Sequence, residues 1–260
     1  MLEARDIGVV LGTRAVLAGV AFQALPGQLT AIVGPNGSGK TTLLRALTLD
    51  VAYSGQITLD GEDLRQLKPW VLAARRAVLP QATRLAFPFT VYEVVSLGLS
   101  AGIDAGRDHL IPEALAAVGM AGFAGRFFQE LSGGEQQRVQ LARVLVQVWE
   151  PVVEGRPSWL FLDEPVASLD IGHQLEVMQL ARSYAEAGGG VVAVMHDLNL
   201  TAMFADSVAM LHDGKIMHQG VHQEVLTDDA LSLAYGCRLR VNTVPPTGGT
   251  YVLPHSAAAP

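Results

Sequence analysis

Gly34-Pro35-Asn36-Gly37-Ser38-Gly39-Lys40-Thr41 has the residue types and spacing of a loop that wraps phosphate, G-x-x-x-x-G-K-[ST]. Glycines at these offsets let successive backbone N–H groups turn inward around an anion. A helix that starts at the end of the loop adds a partial positive charge, and the amide of Thr42 joins the same cradle. Lys40 is the side chain that reaches the β- and γ-phosphates, and the Thr41 hydroxyl is placed for Mg²⁺. A chance glycine-rich turn would not need a strand before it and a helix after it. Here residues 29–33 are a short apolar strand, and residues 41–49 carry Leu43, Leu44 and Leu47 on one helical face.

Two further segments carry chemistry. Leu160-Phe161-Leu162-Asp163-Glu164 is an apolar strand that ends in two acids. In a parallel sheet the ligand sits beyond the carboxyl ends of the strands, which would bring Asp163 near Thr41 to hold Mg²⁺ directly or through water. Glu164, one residue on, would polarise the attacking water. Without the phosphate loop, the same run would read as a strand entering a solvated turn. Leu131-Ser132-Gly133-Gly134-Glu135-Gln136-Gln137-Arg138 opens a helix over residues 134–148. Ser132 at the N-cap with Glu135 three residues later is a capping-box pattern. Ser132 and the Gly133 and Gly134 amides would also form a second anion site.

That octet closely resembles the signature of ABC-type ATPases, and the likeness extends from about residue 2 to about residue 240. Membership of that family would explain two γ-phosphate sites in one chain. It implies a head-to-tail homodimer in which the phosphate loop of one subunit faces the signature of the other, with ATP between them. The resemblance assigns three further positions. Gln81, after a strand ending at Pro80, resembles the Q-loop glutamine that touches Mg²⁺ or the attacking water and senses the membrane partner. Ser168-Leu169-Asp170 resembles the D-loop, and His196 the switch histidine on the γ-phosphate. Two positions depart from the pattern. Leu11 stands where an aromatic usually stacks on adenine, leaving apolar packing by Leu11 or Val16. Val166 stands where Thr is usual.

The resemblance narrows within the family. Residues 79–91, the short insert over 147–157 and Leu169-Asp170-Ile171-Gly172-His173-Gln174 look like the branch of bacterial importers for haem, siderophores and cobalamin, and the first two like haem-import ATPases. This implies an ATP-hydrolysing subunit, peripheral on the cytoplasmic face of the inner membrane. Its partners would be a permease dimer and, indirectly, a periplasmic haem-binding protein. A siderophore-iron or vitamin B12 importer has the same chemistry and stays open. A small-molecule P-loop kinase leaves residues 131–138 unexplained, and a non-hydrolysing nucleotide-gated module has no need of both Glu164 and His196. Direct haem ligation by His173, His196 or His218 is not expected, because such a subunit lies on the far side of the membrane from substrate capture.

Composition and patterning supply the elements that must position these groups. The chain has 260 residues, half of them hydrophobic and 17% charged, which is a folded composition with a sizeable core. No 18-residue apolar run is present. Met1 to Gly8 contain Glu3, Arg5 and Asp6, so no ordinary secretory signal is expected there. The net charge of −7 argues against nucleic acid bound by a broad basic surface. One cysteine, Cys237, suits a reducing compartment. Apolar strands alternating with helices predict an α/β fold with a mostly parallel core sheet and an inserted helical subdomain over about 85–150. The family resemblance implies that this is a P-loop NTPase fold with an N-terminal antiparallel β-subdomain. The ATPase domain is expected to span 1–240, with a short tail over 241–260. Helices are expected over 91–99, 110–118, 174–187, 198–204 and 221–235, a β-hairpin over 208–219 and a short strand over 251–253. Leu85, Phe87 and Phe89 form an apolar run just after Gln81, placed to dock a partner or to pack inside the helical subdomain.

Overall fold

Alternating burial along the first 24 residues builds a hairpin. β1 (Leu2–Leu11) buries Leu2, Ala4, Ile7 and Val9, and β2 (Arg14–Ala24) buries Leu17, Val20, Phe22 and Ala24 against the same layer. The computed structural model describes residues 1–81, 87–101, 107–244 and 248–256. β3 (Leu29–Val33) is buried at every position and runs into the phosphate loop, from which α1 (Lys40–Leu47) emerges. β4 (Ser54–Leu59), β5 (Glu62–Asp63), α2 (Pro69–Arg75) and β6 (Arg76–Leu79) follow. Next come α3 (Val91–Ala101), α4 (Leu110–Ala117), α5 (Gly133–Gln147) and a small hairpin of β7 (Val152–Val153) and β8 (Arg156–Pro157). β9 (Trp159–Asp163), α6 (Ile171–Glu186), β10 (Gly190–Val194), α7 (Leu198–Phe204), β11 (Ser207–His212), β12 (Lys215–Gly220), α8 (His222–Val225) and α9 (Asp228–Tyr235) complete the order.

Two sheets organise these elements. The antiparallel one has the order β2-β1-β4-β5, and the larger one has the order β12-β11-β3-β10-β9-β6. All neighbours in the larger sheet are parallel except the β11–β12 hairpin at its edge. The expected mixed α/β fold with a parallel-rich core and an antiparallel N-terminal sheet is what forms. β3, β9 and β10 are buried throughout, since both faces of the sheet are covered. One face, with Ile32, Phe161, Val192 and Ala209, packs on α1 and the antiparallel sheet. The other, with Ala31, Val33, Leu162 and Ala193, packs with the helices from α3 onward. Gly98 lets α3 lie directly on α5, because a Cβ there would stand 2.1 Å from the Arg143 carbonyl oxygen. Among the described residues, no helix is long and apolar enough to cross a membrane.

Three expectations change. The helix over 221–235 is two helices. Thr227 caps the second by accepting from the Ala230 N–H at 3.3 Å, with Asp228 and Asp229 in the first turn, so the apolar spacing is continuous but the backbone is not. Residues 251–253 form no strand and lead into a 3₁₀ turn over Pro254–Ser256. The insert after α5 folds as the β7–β8 hairpin, and α2, with Pro69 in its first turn, was not anticipated.

Candidate functional site

The parallel order brings the carboxyl ends of β6, β9, β10 and β3 to one edge, and the chemistry collects there. At the end of β3, Gly34 has φ 146°, and a Cβ on it would stand 2.0 Å from the Leu211 carbonyl oxygen. No side chain fits between the loop and β11. Gly37 (φ 78°) and Gly39 (φ 106°) turn the backbone back toward α1. Lys40 is almost fully buried and donates to the carbonyls of Gly34 at 2.9 Å and Pro35 at 3.1 Å. Burial pulls its ammonium below the ordinary lysine range, while the carboxylates of Glu164 and Asp163 oppose that. The Ser38 Oγ is buried without a hydrogen-bond partner. An unpartnered hydroxyl in a loop of inward amides fits an anion's oxygen. Pro35 and Thr42 are half-buried, whereas Asn36 and Gly37 are exposed on the loop's outer turn.

β9 delivers the acids. Thr41 Oγ1 donates to Asp163 Oδ1 at 3.1 Å across 122 residues of sequence. Burial raises the Asp163 carboxyl above its ordinary range, the Thr41 hydrogen bond opposes this, and the neighbouring Glu164 charge adds to it. Gln81 lines the same cleft of about 210 Å³ as Thr41, Thr48, Val78 and Asp163. Glu164 sits at φ 53°, its N–H bonded to the Val194 carbonyl at 3.2 Å. That bend turns its carboxylate toward β10, where Oε1 lies 2.6 Å from His196 Nε2. Asp197 follows His196 and caps α7 through the Asn199 and Leu200 N–H groups, which fixes the switch segment.

Ser132 caps α5 as the spacing predicts. Its hydroxyl accepts from the Glu135 N–H at 3.3 Å, and Glu135 Oε2 accepts from the Ser132 N–H and hydroxyl at 2.7 Å each. Those hydrogen bonds hold the Glu135 carboxyl below the usual range. Ser132 and Gly133 are exposed, and Gly134 is half-buried beside the Ser168 carbonyl. Among the described residues, no hydrogen bond joins this turn to residues 34–42. α5 packs on α3, α4 and β6, whereas α1 packs on β1, β2, β9 and β10. The helices that follow the two candidate anion sites therefore pack on different elements. Gln137, within the octet, links α5 to the segment after β9. Its Nε2 reaches the carbonyls of Glu164 at 3.5 Å and Pro165 at 3.4 Å.

The remaining positions are equally definite. Leu11 is exposed at the tip of the β1–β2 hairpin, paired with Arg14. Val16, half-buried in the same hairpin, places its carbonyl 3.4 Å from a Cβ built on Gly39, so the hairpin lies over the phosphate loop. Val166 is buried in the main core, where a threonine hydroxyl would need a partner and a methyl does not. Asp170 caps α6 through the His173 N–H and also holds His173 Nδ1 at 2.9 Å.

Residues 17–167 match the family model described as ABC transporter. This chain belongs to the ABC transporter family. As an ABC ATPase chain it has relatives along its whole length. The hemin import ATP-binding protein HmuV of Jannaschia sp. (strain CCS1) is 66% identical over 257 residues, covering 99% of this chain and 95% of that one. The protein of the same name in Roseobacter denitrificans is 63% identical and covers 98% of both. A solved dimeric bacterial ABC transporter cassette superposes with a TM-score of 0.74 at 26% identity, over 85% of this chain and 99% of that one. Like other ABC ATPases, the chain binds and hydrolyses adenine nucleotide to energise transport.

Proposed function

We propose that this ABC ATPase energises haem import across a bacterial inner membrane. It would be bound at the cytoplasmic face to a permease dimer fed by a periplasmic haem-binding protein. Near-full-length identity to relatives named for hemin import supports the substrate. The meeting of Thr41–Asp163 and Glu164–His196 at one sheet edge supports the chemistry. Lys40, the amides of residues 37–42 and the Ser38 hydroxyl hold the β- and γ-phosphates. Glu164 orients the attacking water and takes its proton as the γ-phosphorus–oxygen bond to ADP breaks. His196 steadies that carboxylate and lies within reach of the γ-phosphate. The oxygen donors of Thr41, Asp163 and Gln81 suit a hard cation, and Mg²⁺ bound there neutralises charge on the β- and γ-phosphates. Ser132, Gly133, Gly134 and Glu135 complete the partner subunit's site in a head-to-tail homodimer. The existence of solved dimeric cassettes supports that arrangement.

Co-purified with its permease in vesicles, the complex is expected to accumulate haem in an ATP-dependent manner, undiminished by ferric siderophores or cobalamin. Uptake of either competitor in preference to haem would overturn the substrate reading.

The apolar run after Gln81 divides on inspection. Leu85 lies outside the described residues. Phe87 is 68% exposed, whereas Phe89 packs partly into the main core, its ring 6.3 Å from that of Phe87 and edge-on to it. Phe87→Ser is therefore expected to keep the melting curve and basal ATPase activity but lower transport per ATP. Phe89→Ser is expected to lower the melting midpoint by about 4–8 °C, since removing a half-buried ring costs about 2 kcal/mol in a domain of this size. Calorimetry on the two isolated variants decides between docking and packing for each ring.

At the base, Leu11 offers a methyl surface where a ring would stack. Leu11→Tyr is expected to tighten ATP binding about five- to tenfold, within the ~1–3 kcal/mol of aromatic–base stacking. Fluorescence titration with a labelled ATP analogue measures it, and unchanged affinity would place the base elsewhere.

A further inference from the structure

The helix that opens at the phosphate loop and the helix that opens at Ser132 are joined at their far ends. α1 starts at Lys40 and ends at Leu47, where its last carbonyls need partners. Arg76, the first residue of β6, supplies them: its guanidinium donates to the Leu47 carbonyl at 3.3 Å and to the Thr48 carbonyl. The backbone carbonyl of Arg76 in turn accepts from Gln147 Nε2 at 3.0 Å. Gln147 is the last residue of α5, and the same nitrogen donates to the Ala73 carbonyl of α2 at 2.9 Å. Two carbonyls in front of one side-chain amide require its NH₂ group there, so the amide can face only one way. α2 is itself tied to the turn between β4 and β5, because Arg75 pairs with Asp60 and Glu62. Gln147 therefore stands where α5, α2, β6 and the end of α1 meet.

A second bond fixes the same end of α5. The Tyr184 hydroxyl of α6 donates to the Val148 carbonyl at 2.9 Å, and this contact is buried. At the other end, Gln137 reaches the carbonyls of Glu164 and Pro165 at 3.5 and 3.4 Å. α5 is thus bonded more closely at its C-terminal end than at its signature end. Its 15 residues make it about 22 Å long, so a tilt of about 10° about Gln147 would carry Ser132 by about 4 Å. A contact of hydrogen-bond length to a phosphate does not survive such a displacement.

We propose that Gln147 is a positioning residue: with Arg76 it sets the angle between α1 and α5, and so where Ser132 is presented when two copies close on ATP. The proposal rests on the reading that Ser132 completes the partner subunit's nucleotide site.

Gln147→Met keeps the length and helix propensity of the side chain and removes both donated bonds. Gln147→Lys restores a donor, and the open cleft of about 400 Å³ that Thr48, Arg76 and Gln147 line leaves room for its stem. Both are made in the full chain carrying Glu164→Gln and Cys237→Ser, with nitroxide labels at exposed Glu113 of α4 and Glu176 of α6. Without nucleotide, the parent should give one narrow inter-label distance, the Met variant a broadened one, and the Lys variant the parent's. The protein concentration for half-dimerisation on MgATP should rise about three- to tenfold in the Met variant, the range of one lost hydrogen bond, and return in the Lys variant. MgATP affinity should stay within about twofold throughout, since neither change touches the phosphate loop. An unbroadened distance, an unchanged dimerisation midpoint, or a Lys variant that behaves like the Met one would overturn the proposal. So would a loss of MgATP binding together with a fall in the melting midpoint, which would make Gln147 a packing residue. Ser132→Arg in the same parent keeps the two ideas separable. If it dimerises on ATP like the parent, the composite site fails, while the inter-label distances still decide whether Gln147 sets the angle.

Discussion

Glu164→Gln is expected to bind ATP as wild type does and to hydrolyse it about 10²–10⁴-fold more slowly, the usual contribution of a general base. An amide has the shape of the carboxylate but cannot take the water's proton. The surroundings leave the side chain little freedom to compensate. Its backbone is held at φ 53° by the bond to the Val194 carbonyl, and its own carbonyl receives Gln137 Nε2. Glutamine tolerates that conformation as well as glutamate does, so the fold is not put at risk. Phosphate release under single-turnover conditions gives the rate, and gel filtration with ATP should show a trapped dimer. Turnover within a few-fold of wild type would remove Glu164 from this role and leave His196, 2.6 Å away, as the group to test next.

The second large effect belongs to Ser132. In the Glu164→Gln background, Ser132→Arg is expected to abolish ATP-induced dimerisation while leaving nucleotide bound at Lys40. Ser132 is exposed at the start of α5, which packs on different elements from α1, so the anion site proposed there is open to another copy. A guanidinium on a long stem would fill the space a γ-phosphate needs. The substitution also breaks the capping box, at a cost of about 1 kcal/mol to the helix. Ser132→Thr, which keeps a capping hydroxyl, separates the two causes and should still dimerise. An Arg variant that dimerises on ATP like its parent would dispose of the composite site.

Much of the nucleotide site was legible in the residues because it is built from contiguous segments. A phosphate loop depends on glycines that reach φ values other residues avoid, and Gly34, Gly37 and Gly39 do so where the spacing places them. The capping box at Ser132 and Glu135 is a matter of three residues' offset and forms as expected. β3, β9 and β10 were readable as buried strands from their apolar runs, since a strand covered on both faces has no alternation to lose. Local pattern failed where a cap competed with periodicity, as at Thr227, where apolar spacing runs on but the helix restarts.

From sequence alone came the α/β class, the phosphate loop, the acids at the end of β9 and the capped signature helix, each a property of neighbours along the chain. Tertiary structure decided which of them meet. The strand order β3-β10-β9 sets Thr41 against Asp163 and Glu164 against His196, and packing leaves Phe87 exposed while Phe89 rests partly on the main core. Periodicity reports which face of an element is apolar, whereas partners between elements are chosen by sheet order and by the packing of one apolar face on another. That choice is made only when the whole core closes.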